Sequence, residues 1–388
     1  MLVRARTLPS TGPAPDLLML QRRRARWTAI ALLALFSCKR SPAIPAGEQS
    51  SDRGASATTA LAPLESLVSQ TDSVVARTSD RDPVGSVSGI AELGDEYVLL
   101  DGIQANLKIF SRGGQLIRTV GRHGEGPGEF RTPNHLAVRA PDRILVFDSG
   151  LQRASLFSSE GRLIRTFTVP IARVGAVLFS ADDRIAFFGE ATGRGPDGSF
   201  GRHAGLIVDT LGRTVEHLGH LPTSRVRYES NFALPVGGLC GDAALWGVYS
   251  ANLLYVRRGM TVDTVRVDHP SYAPPDWDSV DRIPPTADGR LFGEWANMQT
   301  WMVRVLPVGP HKMLVVFRTA RTASTDGPVF RYVLATCDGS KAVAIQPHHL
   351  QVRSSSGSTM VATSRDDSGN VYIHRLMADG PTTTRLSQ

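Results

Sequence analysis

Residues 101–119, DGIQANLKIFSRGGQLIRT, return 47 positions later as residues 148–166, DSGLQRASLFSSEGRLIRT. Eight of the 19 positions coincide: the leading Asp, a Phe-Ser pair, one Gly and the closing Leu-Ile-Arg-Thr. Both copies run as short apolar stretches with β-branched alternation, broken by Gly, Ser and Asp. That is the pattern of brief strands joined by tight turns. In the first copy, strands are expected at 88–92, 97–101, 106–111 and 116–120.

Weaker copies of this four-strand unit follow at 174–218, 234–267, 301–345 and 349–386. Six such units, spaced like propeller repeats, predict an all-β chain folded as a six-bladed β-propeller of four-stranded antiparallel blades. A linear stack would need capping repeats, and none is visible. Ring closure asks for a strand from one terminus. Residues 73–77 are expected to join the last unit, beside or instead of 382–386.

Between the two clear units lies GRHGEGPGEF, residues 121–130. A phosphate-cradling loop would end in Gly-Lys-Ser/Thr or open a helix. Here Glu125 and Glu129 would repel a phosphate, Pro127 lacks an amide donor, and a strand follows. The stretch reads as a blade-to-blade crossover whose glycines permit sharp bends. Continued through Pro133 and Leu136-Ala137-Val138, it resembles the inter-blade signature of NHL-repeat and related bacterial six-bladed propellers. The resemblance is specific over about residues 85–170 and architectural beyond. NHL blades place Gly where His135 stands in this chain.

The N-terminus reads as an address. Arg22, Arg23, Arg24 and Arg26 precede ten residues, 27–36, dominated by apolar side chains. That run is short for a membrane span and suits a secretory signal. It ends at Leu35-Phe-Ser-Cys38, similar to a bacterial lipobox, which implies lipid attachment at Cys38. The expected organisation is a signal over 1–38, with Met19 an alternative start, a disordered tether over 39–63 and a propeller over 64–388. The chain is thereby expected in a bacterial cell envelope, anchored by lipid and facing the periplasm or the exterior. The formal charge of +7 misleads, because residues 1–37 carry six Arg against one Asp. The remainder is near neutral with its signs interspersed, which argues against nucleic acid as a partner.

Three groups of side chains are candidates for function. Cys240 and Cys337 lie near strand ends of neighbouring units and could bridge in an oxidising compartment. His135, in PNHLAVR, matches His349, in PHHLQVR. Both are read as beginning innermost strands of units that flank unit one, which would put two imidazoles at one mouth of the channel. Imidazoles so placed can hold a metal, calcium or zinc, as in related peptide-amidating lyases and propeller lactonases. The alternative is that the repeats share a packing residue. The longest insertion, 268–300, is proline-rich and, with its flank, carries Trp277, Trp295 and Trp301. It reads as a ligand-contact loop or as a loop packed on the propeller face, with Leu291, Phe292, Trp295 and Met298 on one face of a short helix. His217 and His220 are spaced to point to opposite faces of a strand. Asp101 and Asp148 are expected to cap turns.

No Gly-x-Ser-x-Gly or His-Glu-x-x-His motif is present. The leading expectation is a monomeric binding module for a protein, peptide or glycan. The runner-up is a metal-dependent lyase or lactonase-like hydrolase, and a structural part of an envelope complex is third. An acidic or imidazole side chain beside His135 and His349 would favour the enzyme. A channel filled with apolar or arginine side chains would favour the binding module.

Overall fold

The computed structural model describes residues 52–378, apart from 56–60, 65–67, 79–82, 196–197, 222–233, 271, 281, 284–288, 320–328 and 349. The signal, Cys38, His349 and 382–386 lie outside the described residues. In chain order the strands are β1 (Asp52–Ala55), β2 (Val68–Val75), β3 (Val87–Leu93), β4 (Glu96–Asp101), β5 (Asn106–Ser111) and β6 (Leu116–Val120). Next come β7 (Pro133–Arg139), β8 (Arg143–Asp148), β9 (Arg153–Ser158) and β10 (Leu163–Thr168), then β11 (Ile171–Phe179), β12 (Ile185–Arg194), β13 (Phe200–Val208) and β14 (Thr214–His220). They continue with β15 (Pro235–Cys240), β16 (Ala243–Val248), β17 (Leu253–Arg258) and β18 (Thr261–Val267). Two helices, α1 (Trp277–Val280) and α2 (Gly289–Asn297), precede β19 (Trp301–Val308), β20 (Lys312–Thr319), β21 (Val329–Thr336) and β22 (Ala342–His348). The last strands are β23 (Gln351–Ser356), β24 (Thr359–Arg365) and β25 (Val371–Ala378).

These strands form six antiparallel blades, a six-bladed β-propeller. Blades one to five each take four consecutive strands, from β3–β6 to β19–β22. Blade six is β23–β24–β25 with β2 on its outer edge, so the N-terminal side of the chain closes the ring. Ser73 of β2 pairs with His374 of β25, whose imidazole meets Ser73 Oγ at 3.1 Å and Ser364 Oγ at 2.8 Å. A Glu92 carboxylate at the seam between blades six and one takes Arg112 Nη2 at 2.6 Å and Arg375 Nε at 3.1 Å. Strand β1, within the segment read as tether, pairs in parallel with β18 and gives blade four a fifth strand.

The hydrophobic core is divided among the seams. Leu100, Phe130, Ile144 and Phe157 fill the seam between blades one and two. Val236, Leu245, Val305 and Phe317 fill the seam between blades four and five. Each remaining seam has its own cluster. This follows from strand alternation, since a blade buried on both faces needs apolar residues on both.

The repeated aspartates fasten each of the first two blades to its entry. Asp101 accepts amides from Gly85 at 2.7 Å, Ser86 and Ile103 at 3.0 Å and Gln104 at 3.1 Å. Asp148 accepts those of Arg131 at 2.6 Å, Thr132 at 3.0 Å and Leu151 at 3.1 Å. The crossover 121–130 turns inward on itself. Gly121 has φ of 83°, and a Cβ there would lie 2.5 Å from the Phe130 ring. Glu129 Oε2 accepts the Gly126 amide at 2.9 Å, so the loop's own carboxylate takes a donor that a phosphate would need. Arg153 donates to the carbonyls of Glu125, Gly126 and Glu129 at 2.8–2.9 Å.

Candidate ligand site in the central channel

The innermost strands β3, β7, β11, β15, β19 and β23 surround a cavity of about 780 Å³. Five of the six break register with their blade neighbour in the first half of the strand, inserting one extra residue. Apart from a second irregularity in β11 between Ile171 and Val174, the breaks fall between Val87 and Gly89, Pro133 and His135, Val174 and Ala176, Met302 and Arg304, and Val352 and Ser354. Only β15 pairs regularly. A bulge re-aims side chains that a regular strand would bury in the blade. The bulged residues and those after them line the cavity, and the polar ones are Ser88, Asn134, His135, Arg304, Arg353 and Ser354. The girdle is tightest on one side, where Cα atoms of β11 and β19, two blades apart, come within 8 Å.

His135 is half-buried, and its Nε2–H donates to the Val174 carbonyl at 2.8 Å. Burial pushes its pKa down to about 4, against the opposing effect of the hydrogen bond it donates to Val174, and the Arg304 charge adds to the depression. Burial thereby favours a neutral imidazole, fixed by the next blade. Its proposed partner, His349, lies outside the described residues. Pro347 and His348 end the outermost strand β22, and β23 begins at Gln351. The described letters of PHHLQVR thus fall on both sides of the crossover between blades five and six. Among the described residues, no group of three or more His, Cys, Asp or Glu side chains is disposed to hold a metal ion.

Arginine dominates the cavity instead. Arg139, Arg304, Arg318 and Arg353 line it, with Glu92 the sole carboxylate among the lining residues. Burial lowers the pKa of Arg304. Burial, followed by the charge of Arg304, lowers that of Arg353. Arg304 and Arg353 carried no signal in the sequence, because the bulge beside each is a matter of register.

The tryptophans pack among themselves. Trp295 and Trp301 are buried with Val280 against Trp277, Phe292 and Ala296. Trp295 Nε1 donates to Ser279 Oγ at 2.8 Å, and Trp301 Nε1 to the Ala296 carbonyl at 2.6 Å. The insertion is a small core on the propeller, with Trp301 and Tyr249 lining the end of the channel. The expected helix face is corrected, because Leu291 and Met298 are exposed while Phe292 and Trp295 turn inward.

Cys240, ending β15, and Cys337, just after β21, are paired as a disulfide between blades four and five, with Cα atoms 6.2 Å apart. His217 and His220 do not diverge as expected, since both rings flank buried His203, at centroid distances of 5.1 and 4.6 Å. The His217 ring fills the space a side chain at Gly193 would take, 2.3 Å from an added Cβ.

A family described as a 6-bladed beta-propeller matches residues 64–203. No curated protein matches the chain. Among solved structures, a Bacteroides fragilis protein named only for its expected export aligns over 82% of this chain and 97% of its own. Its TM-score is 0.56 at 11% identity. A member of the duf4221 family from Bacteroides vulgatus aligns over 80% of this chain and 98% of its own, with TM-score 0.53 at 10% identity. At such identities the likeness concerns the fold. No helix of the described residues is long and apolar enough to cross a membrane.

Proposed function

We propose that this protein is an extracytoplasmic, lipid-anchored propeller that works as a binding module, with the central channel as its ligand site. The observation that carries the reading is the girdle of bulges, which presents polar side chains from four blades to one cavity. Where the metal-enzyme reading asks for a third imidazole or carboxylate beside His135, the channel offers the guanidiniums of Arg304 and Arg353. A cavity of about 780 Å³ falls within the range of small-molecule and peptide-terminus sites. The export address, the lipobox-like Leu35–Cys38 stretch and the paired Cys240 and Cys337 support an envelope location. The resemblance of 121–138 to NHL-type propellers and the exported description of the Bacteroides fragilis neighbour agree with it.

Methyl NMR with a small-molecule and peptide panel tests the site. Binding should shift the methyl signals of the channel residues Ala91, Ala137 and Val305. Shifts confined to the outer strands would overturn the assignment. For the anchor, Cys38→Ser should move the protein from the membrane to the soluble fraction; an unchanged distribution would remove lipidation from the account.

A further inference from the structure

We infer that the channel takes an organic oxyanion, a carboxylate or a phosphate ester, clamped between Arg304 and Arg353. The inference rests on the channel being the ligand site and names the chemistry of its occupant. The two guanidiniums come from neighbouring innermost strands, β19 and β23. Arg304 follows the bulge of its strand, and Arg353 is the inserted residue of its own.

Every other charge of the lining is already engaged. Arg139 donates to the carbonyls of Ser180 and Ala181 and faces Asp183 at 3.4 Å. Arg318 donates to Asn297 Oδ1 at 2.6 Å. Glu92 is held by Arg112 and Arg375. Arg304, by contrast, has no hydrogen bond or ion pair among the described residues. Arg353 uses only Nε, toward Thr363 Oγ1 at 3.3 Å. Two half-buried cations on neighbouring innermost strands without a counter-ion repel each other, and a guanidinium does not escape by losing its proton. The planar fork of each matches two oxygens of a carboxylate or phosphate.

Two lining residues also carry unsatisfied polar atoms. Asn134 Oδ1 and Ser355 Oγ are buried and have no hydrogen-bond partner. The apolar wall, including Leu136 and Val305, makes room for an organic body rather than a bare ion.

Calorimetric titration and thermal shift of the purified protein with inorganic phosphate, citrate and a neutral sugar test the inference. Phosphate, citrate or both should bind and raise the melting temperature, and the sugar should not. Tighter citrate assigns carboxylate recognition, and tighter phosphate assigns a phosphate ester. Arg304→Gln and Arg353→Gln should each weaken anion binding by about tenfold or more. Arg304→Gln should also raise the melting temperature of the ligand-free protein, because it relieves the repulsion. A merely structural arginine would lower it on substitution. Two results would overturn the inference: no response to either anion at millimolar concentration, or anion binding unchanged in both variants. If a neutral compound shifts the channel methyls while Arg304→Gln leaves its affinity intact, the channel remains the site and the oxyanion falls. If anions bind but only outer methyls respond, both fall.

Discussion

At the residue scale, Asp101 and Asp148 show how one carboxylate fixes a blade. Each is buried and collects three or four backbone amides from both sides of the strand it ends. Asp148→Ala strands the amides of Arg131, Thr132 and Leu151, so it should cost on the order of 3 kcal/mol in chemical denaturation. A loss near zero would show that water replaces the carboxylate. His135 supplies a pH prediction. Its ordinary value is 6.5 and its folded value about 4, so the unfolded chain takes a proton that the native protein refuses. Its stabilising contribution is complete above the unfolded value and is lost as pH falls from 6.5 toward 4. Burial depresses His203 and His269 in the same direction. The melting temperature should fall across that window, less steeply in His135→Gln; a flat profile in the wild type would contradict the burial. The aspartates were legible because they repeat at one offset. Arg304 and Arg353 were not, because nothing in a single sequence marks where a bulge turns a side chain.

Elements of four to eight residues were legible where apolar alternation is strong, and the four strands expected in unit one match β3–β6 to within a residue. Matching letters do not carry register. PHHLQVR resembles PNHLAVR, yet Pro347 and His348 end β22 and β23 begins at Gln351. The short helix α2 carries Leu291, Phe292 and Trp295 as expected and ends before Met298, but its inward face was set by Trp277 and Trp301, distant partners that periodicity cannot see. Trp295→Ala should destabilise the protein by about 3 kcal/mol through the cavity left in that small core. A loss below about 1 kcal/mol would mean that the insertion collapses to fill it. Closure by β2 predicts a larger effect. A chain beginning at Pro83 would leave the β25 edge unpaired, and such an edge recruits other chains. Size-exclusion chromatography should then show association or aggregation. A monomer with an unchanged cooperative melt would contradict the closure.

At the scale of the whole molecule, the ring was readable from one repeat offset, because a four-strand unit that cannot bury both faces alone must stack on its neighbours. Six seams, each with its own apolar cluster, are the physical result. The ring also creates what no repeat encodes, a channel whose lining mixes residues from blades that differ. Glycine stands at one girdle position, imidazole at the next and guanidinium farther round, as at Gly89, His135 and Arg304. The central claim is that this girdle is where the protein binds. A crystal structure grown with citrate and phosphate tests it most directly. The account predicts an anion spanning the guanidiniums of Arg304 and Arg353 inside the channel. A channel holding only water at both arginines, with any anion on the outer face, would contradict it.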